Sequence, residues 1–134
     1  NLIKNKIKFR LVIIGQGTNK NLIKNYIIEN NLKNQVRIVN FQKNPYKFIR
    51  ASDIFVLTSK YEGLPNVLLE AATLKKFIIS TNCPTGPREI LSNGEGGELV
   101  KIGDFKSISK VIINKSGLMV ETNTLGIELF YLLY

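Results

Sequence analysis

Two carboxylates stand out for the chemistry their spacing allows: Glu62 and Glu70, in Ser59-Lys60-Tyr61-Glu62-Gly63-Leu64-Pro65-Asn66-Val67-Leu68-Leu69-Glu70-Ala71. The apolar run Ile54-Phe55-Val56-Leu57 precedes them and reads as a buried strand. Pro65 suits the first turn of a helix, where its missing N–H costs nothing. Glu62 is therefore expected in a strand-to-helix loop and Glu70 about one turn into the helix. Between them, the free N–H groups of the helix start favour an anion. Carboxylates that accept hydroxyl hydrogen bonds beside a backbone anion site suit a sugar linked to phosphate. A plain surface helix, with an early acidic residue favoured by the macrodipole, shows the same pattern.

The elements that must hold these groups alternate in kind. Phe9 to Ile14 reads as a strand ending at Gly15-Gln16-Gly17. Asn21 to Asn31 has apolar residues at helical spacing, and Val36 to Phe41 reads as the next strand. A short helix follows from Pro45 to Ala51, then a strand over Asp53–Thr58 and a helix from Pro65 to about Lys75. Further strands are expected at Phe77–Ser80 and Glu98–Ile102, with helices from Gly86 and over Phe105–Ile113. Leu125 to Tyr134 reads as a terminal amphipathic helix. Strands alternating with helices imply an α/β fold with a Rossmann-like, doubly wound parallel sheet. In such sheets the ligand lies beyond the carboxyl ends of the strands. Gly15-Gln16-Gly17, Glu62 to Asn66 and Thr81 to Gly86 all fall there and should converge on one crevice. The glycines serve equally as a tight turn or as a close approach to phosphate or sugar.

Composition bounds the alternatives. The 134 residues suffice for one domain with a real core. No apolar run approaches the roughly 18 residues of a membrane span. The first residues lack the apolar core and cleavage site of a signal peptide, and no initiator Met is present. Cys83 stands alone, so a disulfide framework within the chain is excluded, which fits a reducing, cytoplasmic compartment. The net charge of +9 attracts anionic lipid, nucleic acid or phosphorylated ligands without choosing among them. Many lysines neighbour asparagines, a bias rather than a patch, and no aromatic-basic or zinc-finger motif marks a nucleic-acid binder. Nucleic acid is thus not an expected partner.

Several chemistries fall by counting. With no histidine there is no Ser-His or Cys-His pair, and zinc would lack ligands. Asp53 and Asp104 are the only aspartates, so no Asp-x-Asp diphosphate–metal motif exists; neither a metal nor a resident cofactor is expected. Gly15-Gln16-Gly17 opens like a dinucleotide fingerprint, but Lys20 occupies the third glycine's place and no acidic residue lies between Lys33 and Ser52.

Taken in order, Leu11 to Gly17, Ala51 to Ser59 and Glu62 to Ala71 resemble the C-terminal half of family 4 retaining glycosyltransferases. Cys83 to Leu91 and Gly94 to Val100 look like a bacterial branch that makes surface glycans. The resemblance is strongest over residues 9–105, and its Glu-x7-Glu core is specific because strand and downstream loop accompany it. It implies GT-B architecture, two Rossmann-like domains facing a cleft, with the C-terminal one holding a nucleotide-sugar. By that resemblance Glu70 accepts bonds from the nucleotide ribose, and Glu62 is the catalytic residue near the donor sugar's hydroxyls. The backbone from Gly63 through Leu64, Pro65 and Asn66 to Val67 meets the diphosphate, and Gly15 and Gly17 line the donor cleft. Val39 to Phe41 precede the loop framing the base, where Gln42 replaces a common glycine. Arg88 and Glu89 match a helix start, as a structural pair or as ligand contacts, and Cys83 reads as a buried small residue.

The family's donor domain opens with a strand bearing an arginine and then a lysine, and this chain begins after that point. The expectation is a single, N-terminally truncated nucleotide-sugar-binding domain over 1–134, with 106–134 a helical tail, inactive without its acceptor domain. Its expected partners are the nucleotide-sugar donor, that acceptor domain and, peripherally, an anionic membrane such as the plasma membrane's inner face. A non-catalytic nucleotide-sugar-binding or interaction module is the alternative, and a basic peripheral membrane module a third.

Overall fold

The computed structural model describes residues 1–119 and 126–133. Among them, six strands form one all-parallel sheet in the order β2-β1-β6-β3-β4-β5. The strands are β1 (Phe9–Gly15), β2 (Val36–Val39), β3 (Ile54–Leu57), β4 (Phe77–Thr81), β5 (Glu98–Val100) and β6 (Ile127–Leu133). The helices are α1 (Lys20–Glu29), α2 (Tyr46–Ala51), α3 (Asn66–Thr73), α4 (Pro87–Ile90) and α5 (Phe105–Met119). This is the expected Rossmann-like, doubly wound α/β arrangement.

Burial on both faces explains the strand sequences. Every residue of β3 is buried, as are Ile78 to Thr81 of β4. Such strands read as continuous apolar runs because helices cover the sheet on both sides. On one face Ile49 of α2, Val67, Leu68 and Ala71 of α3, and Leu91 close over Ile14, Phe55, Leu57 and Phe130. On the other, Ile112 of α5 joins Ile54, Val56, Ile79, Ile127 and Leu129, with Leu2 and Ile7 packed alongside.

The stretch 125–134, expected as a terminal amphipathic helix, is instead a strand where it is described. β6 runs through the middle of the sheet, pairing with β1 over Phe9↔Ile127 to Gly15↔Leu133 and with β3 over Ile54↔Leu129 to Val56↔Tyr131. The physical reason is twofold. Ile127-Glu128-Leu129-Phe130-Tyr131 is rich in β-formers, and a short apolar run cannot by itself separate buried strand from buried helix. The facing edges of β1 and β3 also need partners for their backbone groups, and only an extended segment supplies them. α5 runs on to Met119, six residues past its expected end at Ile113.

The chain leaves β1 toward β2 on one side of the sheet, then returns to build β3, β4 and β5 on the other. That reversal of strand order opens a crevice at the carboxyl ends of β1 and β3.

Candidate functional site

The site is built from the loops that leave β1, β2 and β3. A cavity of about 660 Å³ is lined by Ile14, Gly15 and Gln16 from the end of β1, and by Phe41, Gln42, Lys43 and Pro45 after β2. Its opposite wall is Glu62, Leu64, Pro65, Asn66, Val67 and Glu70. Both glutamates therefore face one space, as their spacing predicts, and both are half-buried. Gly17 and Gly63 do not line it: Gly17 lies exposed in the turn before α1, and Gly63 belongs to the loop behind Glu62.

Pro65 directly precedes α3, with φ −74° and ψ 84°, and its carbonyl accepts the Leu68 N–H at 2.9 Å. The N–H groups of Asn66 and Val67, in the first turn, have no intrahelical acceptor. No acidic side chain occupies that turn, so its partial positive charge is left for an anion in the cavity. Glu70, one turn further, stands beside Tyr46 at the start of α2. The Glu70 charge, above all, raises the Tyr46 pKa above its ordinary value. The phenol therefore lies close enough to sense the Glu70 carboxylate.

Glu62 is fixed by hydroxyl groups. Ser59 Oγ donates to its Oε1 at 2.5 Å, and Thr85 Oγ1 donates to its backbone carbonyl at 2.5 Å. Thr81 Oγ1 donates to the Ser59 carbonyl at 2.6 Å, tying the same loop to the end of β4. The segment Thr81–Gly86, expected to reach the crevice, lies behind the Glu62 loop and props it. Gly86 is the contact point: with φ +90°, a Cβ there would lie 2.4 Å from Pro65 Cδ and 2.5 Å from the Gly63 carbonyl oxygen. Only glycine tolerates both the conformation and the approach.

Glu89 accepts the Gly86 N–H at 2.6 Å and so caps α4. Among the described residues the one ion pair is Arg10–Glu128, so the Arg88–Glu89 pair offered as one reading is not formed. Cys83 is buried as expected; burial, above all, pushes its thiol pKa up, which disfavours the thiolate. Lys20, in the place of a third glycine, donates to Asn40 Oδ1 at 2.5 Å and so joins the α1 start to the loop after β2.

Lys43 and Tyr46 escaped sequence reasoning. Lys43 is the only cationic side chain lining the cavity among the described residues. Its signal was positional, since it follows the carboxyl end of β2, but it sits in an asparagine-lysine background that masks it. Tyr46 reads as an ordinary helix-start residue until α3 brings Glu70 to it.

These features define an α/β domain with an anion-suited, carboxylate-lined crevice at the switch point of a parallel sheet. The chain belongs to the glycosyl transferases group 1 family, whose model matches residues 1–115. It is 49% identical over 82 residues to an uncharacterized glycosyltransferase of Methanocaldococcus jannaschii, covering 61% of this chain and 20% of that protein. It is 33% identical over 103 residues to the N-acetylgalactosamine-N,N'-diacetylbacillosaminyl-diphospho-undecaprenol 4-alpha-N-acetylgalactosaminyltransferase of Campylobacter jejuni. That match covers 77% of this chain and 28% of the relative, so the chain spans between a fifth and three-tenths of these two proteins. The fold matches a variant of S. aureus TarM solved with Fondaparinux, alpha-GlcNAc-glycerol and UDP. There the TM-score is 0.74 at 23% identity, over 81% of this chain and 22% of that one.

Proposed function

We propose that this chain is the donor-binding, C-terminal domain of a family 4 retaining glycosyltransferase of GT-B architecture. The intact enzyme would move a sugar from a nucleotide-sugar to a glycan or lipid-linked acceptor, without a metal. The observation that carries this reading is the meeting of Glu62, the α3 start and Glu70 in one cavity of about 660 Å³.

Each group has a task that its place supports. The Glu70 carboxylate, close to Tyr46, accepts the ribose hydroxyls. The N–H groups of Asn66 and Val67 and the Lys43 ammonium face the diphosphate, where negative charge grows as the sugar departs. Glu62, held by Ser59, reaches the donor sugar's hydroxyls and orients the reacting carbon. Gly15 and Gln16 form the floor on the β1 side, and Phe41 offers an exposed ring beside the base. Anomeric retention follows from the family resemblance.

Calorimetric titration of the 134-residue chain with UDP and other nucleoside diphosphates tests the reading. Binding that weakens in Glu70→Gln supports it, and binding indifferent to that substitution removes the ribose assignment.

A further inference from the structure

The two walls of the cavity belong to different parts of the sheet. Ile14, Gly15, Phe41 and Lys43 stand on the β1–β2 side, Glu62 and Glu70 on the β3–β4–β5 side. Among the described residues β1 and β3 do not pair with each other; within the sheet the two parts are joined by β6. β6 lies beyond residues 1–115, the span shared with the family. The cavity thus straddles a seam that a strand outside the shared segment closes.

The seam is shaped to receive that strand. Gly126, at φ +95°, comes so near the start of β1 that a Cβ would lie 2.7 Å from the Lys8 carbonyl oxygen. The Ile127 N–H then bonds that same oxygen at 3.1 Å. Asp53 clamps the next residue from the other side. Its Oδ2 accepts the Glu128 N–H and its own N–H donates to the Glu128 carbonyl, both at 2.9 Å. Arg10 pairs with the Glu128 carboxylate. Phe130 stacks on Phe55 with ring centroids 5.4 Å apart, and the Thr58 hydroxyl donates to the Tyr131 hydroxyl at 3.0 Å. Ile127 and Leu129 enter one core and Phe130 the other, so the strand joins both layers as well as both sheet edges.

We propose that the seam between β1 and β3 is a strand-acceptor site, filled in this chain by its own β6, and that its filling assembles the nucleotide cleft. The coupling to nucleotide rests on the reading of the cavity given above; the strand-acceptor assignment does not. With β6 undocked, β1 and β3 each expose an unpaired ladder, and the two walls lose their common frame. A nucleotide that touches both walls then binds only the docked form, so its apparent Kd scales inversely with the docked fraction.

The test uses the full 134-residue chain as wild type, Asp53→Ala, Phe130→Ala and, as a control at an exposed position of the far edge strand, Glu98→Ala. Amide hydrogen exchange by mass spectrometry reads the docking, and calorimetry with UDP reads the cleft. Asp53→Ala, the milder change, guards against a Phe130→Ala chain that does not fold. Expected is faster exchange in β1, β3 and β6 in the seam variants while β4 and β5 stay protected. The UDP Kd should rise with it, about tenfold where one molecule in ten remains docked. Glu98→Ala should leave both readouts near wild type.

Unchanged exchange in β1 and β3 in Asp53→Ala, or loss of β4–β5 protection in the same step, overturns the strand-acceptor assignment. Faster seam exchange with an unaltered UDP Kd overturns the coupling. A wild-type chain that binds neither UDP nor any other nucleoside diphosphate overturns the nucleotide reading and the coupling with it, while exchange alone still decides the strand-acceptor site.

Discussion

Glu62 and Glu70 share a cavity but are held differently, and the difference predicts how their loss should read. Glu70 rises from a helix and can accept ribose hydroxyls in substrate and transition state alike, which is uniform binding and appears in KM. Glu70→Gln should weaken nucleoside diphosphate binding by about 1–3 kcal/mol, the range for a hydrogen bond to a charged group, measured by calorimetry. Glu62 is pinned by Ser59, and the proposed function assigns it to the donor sugar. Glu62→Gln should therefore leave nucleoside diphosphate affinity nearly unchanged and lower kcat in the intact enzyme. Gly86 acts on the same loop through space. Gly86→Ala puts a methyl against Pro65 and the Gly63 carbonyl at a left-handed φ. Strain alone should cost about 1–3 kcal/mol, visible as a lower Tm, and a displaced Pro65 should weaken UDP binding as well.

At the scale of elements, helix ends do much of the positioning. α3 begins with free N–H groups and no acidic residue of its own, so its start is available to a ligand. α5 is finished in the opposite way. Asp104, just before it, accepts the Ser107 N–H at 3.0 Å and the Ser107 hydroxyl at 2.6 Å. Those bonds, the hydroxyl's first, hold the Asp104 carboxyl below its ordinary pKa. A depressed folded-state pKa adds stability above the unfolded value, and that stability is lost as pH falls through the folded value. Asp104→Ala should thus melt lower than wild type at pH 7. The gap should shrink as pH drops below about 4, the ordinary aspartate range, in thermal melts recorded across pH. α5 packs Ile112 over Ile127 and Leu129, so its fraying should also loosen β6.

For the whole molecule, charge and extent lead to two expectations. The chain spans 20% and 28% of two relatives it matches, and its cavity has walls from a single sheet. The purified chain is expected to bind nucleotide without transferring sugar; glycosyl transfer to an added acceptor would falsify the view that acceptor-side groups lie elsewhere. The net charge of +9 comes with no helix, among the described residues, long and apolar enough to cross a membrane. Attraction to anionic vesicles should then be weak and fade with salt, since exposed charges are screened within about 8 Å at physiological ionic strength. Sedimentation with vesicles across a salt series measures it, and binding that survives molar salt would mean an apolar insertion surface.

Local order alone determined much of this protein. The alternation of apolar runs with helical periods set β1 to β5 and α1 to α5 within a few residues at most ends, because each run must be buried by its neighbours. The loop after β3 placed Glu62 and Glu70 on one side of a turn, since a strand, Pro65 and a helix leave little choice of geometry. Other features depended on contacts between segments far apart in the chain. Ile127 to Tyr131 became a strand because two sheet edges demanded one, a demand no local period records. Thr81 to Gly86 became a prop because Gly86 meets Pro65 across the fold. Tyr46 came near Glu70 when α2 and α3 settled on the same face of the sheet. Periodicity reports which face of an element is buried, whereas the edge it joins and the side chain it meets are set by the packing of the whole chain.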